Sequence, residues 1–311
     1  MSTRPAVQLS RVTKRFGDHT AVSALDLNIP RGSIYGLLGP NGSGKTTTIR
    51  MIIGILGPDE GTVALLSGVP DARTRKQVGY LPEERGLYRK MSVLDVLVFL
   101  AEIRGVPRST AAERSRRWLG RLELDEWTTM RVEDLSKGMQ QKVQFIATVL
   151  HEPDLLILDE PFSGLDPINQ DVLEDIVREF HDRGTTILFS THLMEQAERL
   201  CDSVCLISQA EKVLDGRLDD LKRAESKGVV DVLFDGANNW IEGPEVLSIE
   251  PASGGVHVLL KEGADAQSIL HRGVAAGVHI NRFERVEPSL HEIFVKHAGR
   301  KSGRRSAEVA Q

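Results

Sequence analysis

Gly39-Pro40-Asn41-Gly42-Ser43-Gly44-Lys45-Thr46 is entered from the short apolar run Ile34 to Leu38 and followed by the helix-like segment Thr46 to Ile55. It fits G-x-x-x-x-G-K-[ST], the strand-to-helix loop that wraps a phosphate. Glycines at 39, 42 and 44 let the backbone curl until successive N–H groups point inward, toward oxygens that a Cβ would hold away. Lys45 brings a point charge to the β and γ oxygens of a nucleoside triphosphate, and the Thr46 hydroxyl is a ligand for Mg2+. Residues 39 to 46, with Thr47, form the expected nucleotide-binding set. A flexible glycine turn with a surface lysine would need neither the strand before it nor the helix after it.

Working outward, the runs Ser33–Leu38, Leu155–Leu158 and Thr185–Phe189 are short, nearly all apolar and separated by helix-like segments. Strands of a sheet buried on both faces read this way, so the expected fold class is α/β with a mainly parallel sheet. Between about 84 and 150 such runs are missing. Val93–Ile103, Ala111–Leu122 and Lys137–Leu150 instead repeat apolar residues at the helical period, which predicts an inserted helical subdomain. The character changes again after Leu221. Val229–Phe234, Gly255–Lys261 and Ile280–Arg285 read as strands, Ala266–Ala276 and Pro288–Val295 as helices, the last opened by Ser289 with Glu292 three residues on. The expected organisation is a first domain over 1–222, a small C-terminal α+β domain over 223–300, and a basic disordered tail over 301–311.

Composition narrows the classes. A net charge of −5 and a pI near 6.0 give no global attraction to nucleic acid, so none is expected as a partner. No stretch approaches the roughly 18 apolar residues of a transmembrane helix, and Met1-Ser2-Thr3-Arg4-Pro5 begins no secretory apolar region. The expected location is the cytoplasm, peripheral on the inner face of the cell membrane if a membrane partner is present. The two cysteines, Cys201 and Cys205, lack nearby histidines and imply packing rather than a disulfide or a zinc site.

A phosphate loop alone does not name the chemistry; a second constellation does. Leu155-Leu156-Ile157-Leu158-Asp159-Glu160 is an apolar strand ending in two carboxylates. Asp159, at the carboxyl end of a buried strand, is placed to hold Mg2+. Glu160, pointing differently, is placed to accept a proton from water attacking in line with the γ-phosphate. Between loop and carboxylates lies Leu135-Ser136-Lys137-Gly138-Met139-Gln140-Gln141, with Ser136 23 positions before Asp159. Ser136 and the Gly138 N–H stand at a helix start, which is both a serine cap and an anion site.

In these three motifs the chain resembles the ATP-binding-cassette (ABC) ATPases, P-loop NTPases in which a helical subdomain is inserted in the sheet domain. The resemblance implies ATP and Mg2+ as cofactors, and Ser136 and Gly138 as contacts to nucleotide. It makes Ser163-Gly164-Leu165-Asp166 a loop communicating across a dimer, His192 the residue that polarises the γ-phosphate, and Phe16 the aromatic that stacks on adenine. Three positions depart from the family pattern: Glu83 stands where glutamine is common, Lys137 where glycine is, and Met139 where glutamine is. Glu83 would be a charged metal ligand instead of a neutral one. Gly79-Tyr80-Leu81-Pro82-Glu83-Glu84-Arg85-Gly86-Leu87-Tyr88 and Pro288-Ser289-Leu290-His291-Glu292-Ile293-Phe294 resemble the branch associated with sodium extrusion and anthracycline-type drug resistance.

The resemblance further implies a pair of cassettes, a homodimer or a pair with a paralogue, closing on two Mg·ATP. It implies a separate transmembrane permease docked near Glu83 to Tyr88, and an exporter as the whole. The competing expectation is a soluble ABC ATPase acting on ribosomes or DNA; the fused cassettes and long coiled coil of such relatives are missing here. The C-terminal module reads either as a ligand sensor or as a dimer-stabilising element.

Overall fold

The computed structural model describes residues 4–84, 86–226, 228–252 and 254–297; the tail expected over 301–311 lies outside the described residues. The chain divides into two compact units between Arg217 and Leu218. In the first unit the elements run β1 (Val7–Phe16), β2 (His19–Ile29), β3 (Ile34–Leu38), α1 (Lys45–Ile52), β4 (Glu60–Leu65), α2 (Ala72–Lys76) and β5 (Val78–Leu81). There follow α3 (Val93–Ile103), α4 (Arg108–Arg121), α5 (Lys137–Val149), β6 (Leu155–Asp159), α6 (Pro167–Asp182), β7 (Thr186–Thr191), α7 (Met194–Leu200), β8 (Ser203–Ser208) and β9 (Glu211–Arg217).

The main sheet has the order β5-β6-β7-β3-β8-β9, parallel except for β9. Every residue of β3, β6 and β7 is buried, which is why these runs carry no polar alternation. β7 lies between β6 and β3, with Asp159 opposite Ser190 and Leu38 opposite Thr191. The register therefore brings the carboxyl ends of three strands level, where ligands of open α/β sheets bind.

A second, antiparallel sheet β2-β1-β4 covers one face. Val7, Leu9, Leu25, Leu27 and Ile29 pack in one core with Leu37, Ile49, Ile157 and Leu188. Its strands β1 and β2 escape a simple reading of alternation because each carries a bulge. Arg11 (φ 49°) and Ala24 (φ 43°) are left-handed, so the buried positions shift phase from Leu9 to Val12 and from Val22 to Leu25. Asp26 Oδ1 accepts the Arg11 N–H and Thr13 Oγ1 accepts that of Ala24, which pins both bulges.

The helical insert is built from α3, α4 and α5. Ser92 caps α3 and Ser136 caps α5 through their hydroxyls. Trp118 of α4 meets Phe145 of α5 edge-on and stacks flat on Phe180 of α6. Just after α5, burial pushes His151 down to about 4, with Arg104 adding to the effect, while its ring Nε2–H donates to the Val78 carbonyl. A histidine held neutral when folded, with an ordinary value near 6.5, leaves stability intact above pH 6.5 and removes it as pH falls toward 4. The full effect is about 3 kcal/mol. We expect urea midpoints of His151→Gln to fall less steeply than those of the parent across this window; parallel pH profiles would contradict that.

In the second unit α8 (Leu218–Glu225) precedes a four-stranded antiparallel sheet of β10 (Val229–Phe234), β11 (Val246–Ala252), β12 (Gly255–Leu260) and β13 (Ile280–Arg285), ordered β11-β12-β10-β13. Between β12 and β13 lies α9 (Gln267–Ala275), and a final helix, α10, covers 290–297. Val230, Val232, Val258 and Ile269 form its own core. α10 opens with the reciprocal box expected from the sequence: Ser289 Oγ accepts the Glu292 N–H and Glu292 Oε2 accepts that of Ser289. The boundary expected at 222 is corrected to 217. A cut at 222 divides α8, whose Glu225 pairs with His297 inside the second unit. Two more corrections are local: the helix after the phosphate loop ends at Ile52, not Ile55, and the strand expected at Thr185–Phe189 runs on to Thr191.

Candidate functional site

The backbone of the phosphate loop is what its glycines require. Gly39 (φ +149°) lies where an added Cβ would come within 2.1 Å of the Ile207 carbonyl oxygen, and Gly44 (φ +109°) where one would come within 2.3 Å of that of Ala21. Gly44 is also the N-cap of α1 and offers no side-chain cap, so the first N–H groups of the helix remain open to an anion. Ser43 is buried and its hydroxyl has no hydrogen-bond partner among the described residues. An orphaned hydroxyl beside open N–H groups fits phosphate oxygens.

Lys45 is nearly buried, and its Nζ donates to the carbonyls of Gly39 (2.7 Å) and Pro40 (3.2 Å). Burial lowers its pKa, while Glu160, Asp159 and Glu83 pull the other way. Three carboxylates around one ammonium thus hold a charge that burial opposes.

Asp159 is fully buried at the end of β6, and the Ser190 hydroxyl donates to its Oδ1. Burial raises its pKa, countered by the Ser190 and Thr46 hydroxyls. Among the described residues Oδ2 has no hydrogen-bond partner. A buried acceptor-only oxygen next to a threonine hydroxyl suits a hard divalent cation. Among the described residues no three His, Cys, Asp or Glu side chains form a self-sufficient metal shell. An ion here would draw its remaining oxygens from phosphate and water.

Glu160 sits in the left-handed region (φ 49°), where the strand ends and the chain turns; its N–H donates to Ser190 O (3.1 Å). This conformation is costly for a non-glycine residue. His192 Nδ1 lies 2.9 Å from Glu160 Oε1; a carboxylate accepts, so Nδ1 carries the proton and Nε2 is the ring's acceptor nitrogen. The Thr191 hydroxyl lies within reach of both Gln196 Oε1 (3.1 Å) and Glu160 Oε2 (3.4 Å).

Phe16, Asn41, Lys45, Thr47, Glu83 and Glu160 line one cleft of about 460 Å³, with Gly42, Gly44, Thr46 and Asp159. Phe16 is half exposed at its edge. Gly39 and Pro40 stand behind it through their bonds to Lys45, and His192 joins through Glu160. Ser136 and Gly138 do not line this cleft. Ser136 Oγ accepts the Met139 N–H at the start of α5, and Gly138 approaches the Gly164 carbonyl. Asp166 caps α6 through the Asn169 N–H, with Pro167 in the first turn.

Sequence reasoning missed His19 and Ala21, which line the cleft, Ser190 and Thr191, whose hydroxyls reach its carboxylates, and Gln196, which accepts from Thr191. Ser190-Thr191 directly before His192 was the available signal; His19, in an antiparallel strand with a bulge, had none. Both cysteines are buried, with free thiols.

Comparison with known proteins agrees with this geometry. The family described as ABC transporter matches residues 22–163, and the one described as ATP-binding protein DrrA1-3-like, C-terminal domain, matches residues 216–298. The chain is 42% identical to an uncharacterized ABC transporter ATP-binding protein, YhaQ, of Bacillus subtilis, over 94% of this chain and 98% of the relative. It is 30% identical to the daunorubicin/doxorubicin resistance ATP-binding protein DrrA of Streptomyces peucetius, over 100% of this chain and 98% of the relative. A solved ATP binding subunit of an ABC transporter superposes with a TM-score of 0.66 at 31% identity, covering 70% of this chain and 92% of that one. YhaQ and the solved subunit carry ABC transporter names, so the ribosome- or DNA-acting alternative is not favoured. The phosphate loop, the paired carboxylates at a strand end and the matched C-terminal domain thus have one common explanation: the chain belongs to the ATP-binding subunits of ABC transporters, a family of ATP-binding proteins that are generally ATPases and work with membrane permeases.

Proposed function

We propose that the chain hydrolyses ATP with Mg2+ and powers a separate permease in an exporter, lying peripherally on the inner face of the membrane. The observation that carries the reading is the convergence, in one cleft, of open loop N–H groups, a buried lysine, an orphaned Asp159 oxygen and a strained Glu160. Lys45 and the loop N–H groups bind the phosphates, Phe16 offers a face to adenine, and Glu160 takes the proton of the attacking water. His192, oriented through Nδ1, presents Nε2 for the γ-phosphate. Mg2+, held by Thr46, Asp159 and Glu83, would neutralise charge building on the phosphate oxygens.

Ser136 and Gly138 lie outside the chain's own cleft, which supports their use on the nucleotide of a second cassette, closing a head-to-tail pair. Export is supported by a relative named Nod factor export ATP-binding protein I, of Cupriavidus metallidurans, 37% identical over 70% of this chain and 73% of the relative. For docking, the support is a cleft of about 440 Å³ lined by Pro82, Gly86, Leu87, Leu100, Ile103 and Arg104, bordering the segment expected to meet the permease. Among the described residues no helix is long and apolar enough to cross a membrane.

The test is phosphate release from ATP by the purified chain. Turnover that requires Mg2+ and stops with a chelator is expected; ATP binding with no turnover at any Mg2+ concentration would contradict the reading. Glu83→Gln removes a charge from the metal's surroundings, and we expect it to raise the Mg2+ concentration needed for half-maximal turnover. An unchanged Mg2+ dependence would take Glu83 off the metal.

A further inference from the structure

The helix that begins at Ser136 is bonded to both loops that carry the cleft's outer carboxylates. On α5, Gln141 and Gln144 stand three residues apart, so they share a face, and both are more than nine-tenths buried. Gln141 Nε2 donates to the Pro161 carbonyl (2.9 Å), one residue beyond Glu160. Gln144 Nε2 donates to the carbonyls of Pro82 (3.3 Å) and Glu84 (3.2 Å), the two residues that flank Glu83. Carbonyl oxygens cannot donate, so each amide is fixed with its NH2 toward the loop. Gln144 Oε1 has no partner among the described residues, which leaves the two donated bonds to set its position.

The rest of α5 is fastened to the same neighbourhood. Near its carboxyl end the Thr148 carbonyl lies where a Cβ on Gly79 of β5 would come within 2.6 Å, so helix and strand touch backbone to backbone. At its amino end a Cβ on Gly138 would stand 3.4 Å from the Gly164 carbonyl. A helix packed this closely moves as a unit, because interiors are close-packed and repack in steps.

We propose that Gln141 and Gln144 are positioning residues that tie the placement of Glu160 and Glu83 to the placement of α5. The proposal rests on the reading of Glu160 as the group that takes the proton and of Ser136 and Gly138 as contacts to a second cassette's nucleotide. Engaging the amino end of α5 then sets the carboxylates of the chain's own cleft, and the two glutamines are the only side chains described here that bond α5 to both loops' backbones.

Double-mutant cycles test this. Methionine matches glutamine in length without its donors. Gln141→Met is expected to lower kcat about tenfold, as a small misplacement of a reacting group does, with KM for ATP nearly unchanged. In a Glu160→Gln background, read by single-turnover cleavage of labelled ATP, the same change is expected to cost nothing further. Gln144→Met is expected to lower kcat in the parent but not in a Glu83→Ala background. Gln141→Glu and Gln144→Glu keep the shape, remove the donors and should behave alike, which covers a methionine variant that fails to fold. Full losses in both backgrounds would overturn the proposal, because a merely structural role lowers every background equally. Undiminished turnover by Glu160→Gln alone would instead strike the reading of Glu160, and this proposal with it.

Discussion

Glu160→Gln is expected to slow ATP hydrolysis by about 10²–10⁴-fold, the usual value of a positioned proton acceptor, while nucleotide still binds. The substitution is close to isosteric. A glutamine oxygen accepts the His192 Nδ1–H that the carboxylate now accepts at 2.9 Å, so the ring keeps its orientation. The backbone keeps its bond to Ser190 O, and the left-handed turn costs glutamine what it costs glutamate. What disappears is the capacity to take a proton, together with one negative charge near Lys45 (3.9 Å) and Asp159. Removing that charge from beside the phosphate cradle favours an anionic ligand, so affinity should hold or rise. Phosphate-release assays beside nucleotide titrations separate the two effects. Normal turnover would mean that another group accepts the proton.

Lys45→Ala acts on binding. Its Nζ, nearly buried, spends two bonds on the carbonyls of its own loop and faces three carboxylates. A triphosphate would meet this ammonium in a site from which water is largely excluded, where one charge-assisted hydrogen bond contributes about 1.5–3 kcal/mol. Alanine also leaves the Gly39 and Pro40 carbonyls without their donor. ATP affinity should therefore fall about 10–100-fold in titration calorimetry, with little change in far-UV dichroism because the glycine turns remain. Unchanged affinity would place the phosphates elsewhere.

The parts of this protein legible in its sequence are those whose physics is local. The phosphate loop needs glycine where Gly39 and Gly44 meet neighbouring carbonyls, and a strand buried on both faces needs an unbroken apolar run such as Leu155–Leu158. The box of Ser289 and Glu292 is likewise complete within four residues. What escaped depends on register or on distant packing. β1 and β2 lose their alternation at Arg11 and Ala24, and the edge strand β11 hides behind Pro251. Ser190 reaches Asp159 only because β6 and β7 pair in that register. Gln141 and Gln144 look like the polar face of an amphipathic helix until the loops that bury them are in place.

We propose an ATP-driven pairing of cassettes in which Ser136 and Gly138 complete a neighbour's site. Size-exclusion chromatography with light scattering on Glu160→Gln protein, with and without Mg·ATP, tests it most directly. A monomer that becomes a dimer only when ATP is added is the predicted result, and Lys45→Ala in the same background should remain monomeric. A protein that binds ATP yet keeps the same mass with and without it would contradict the claim.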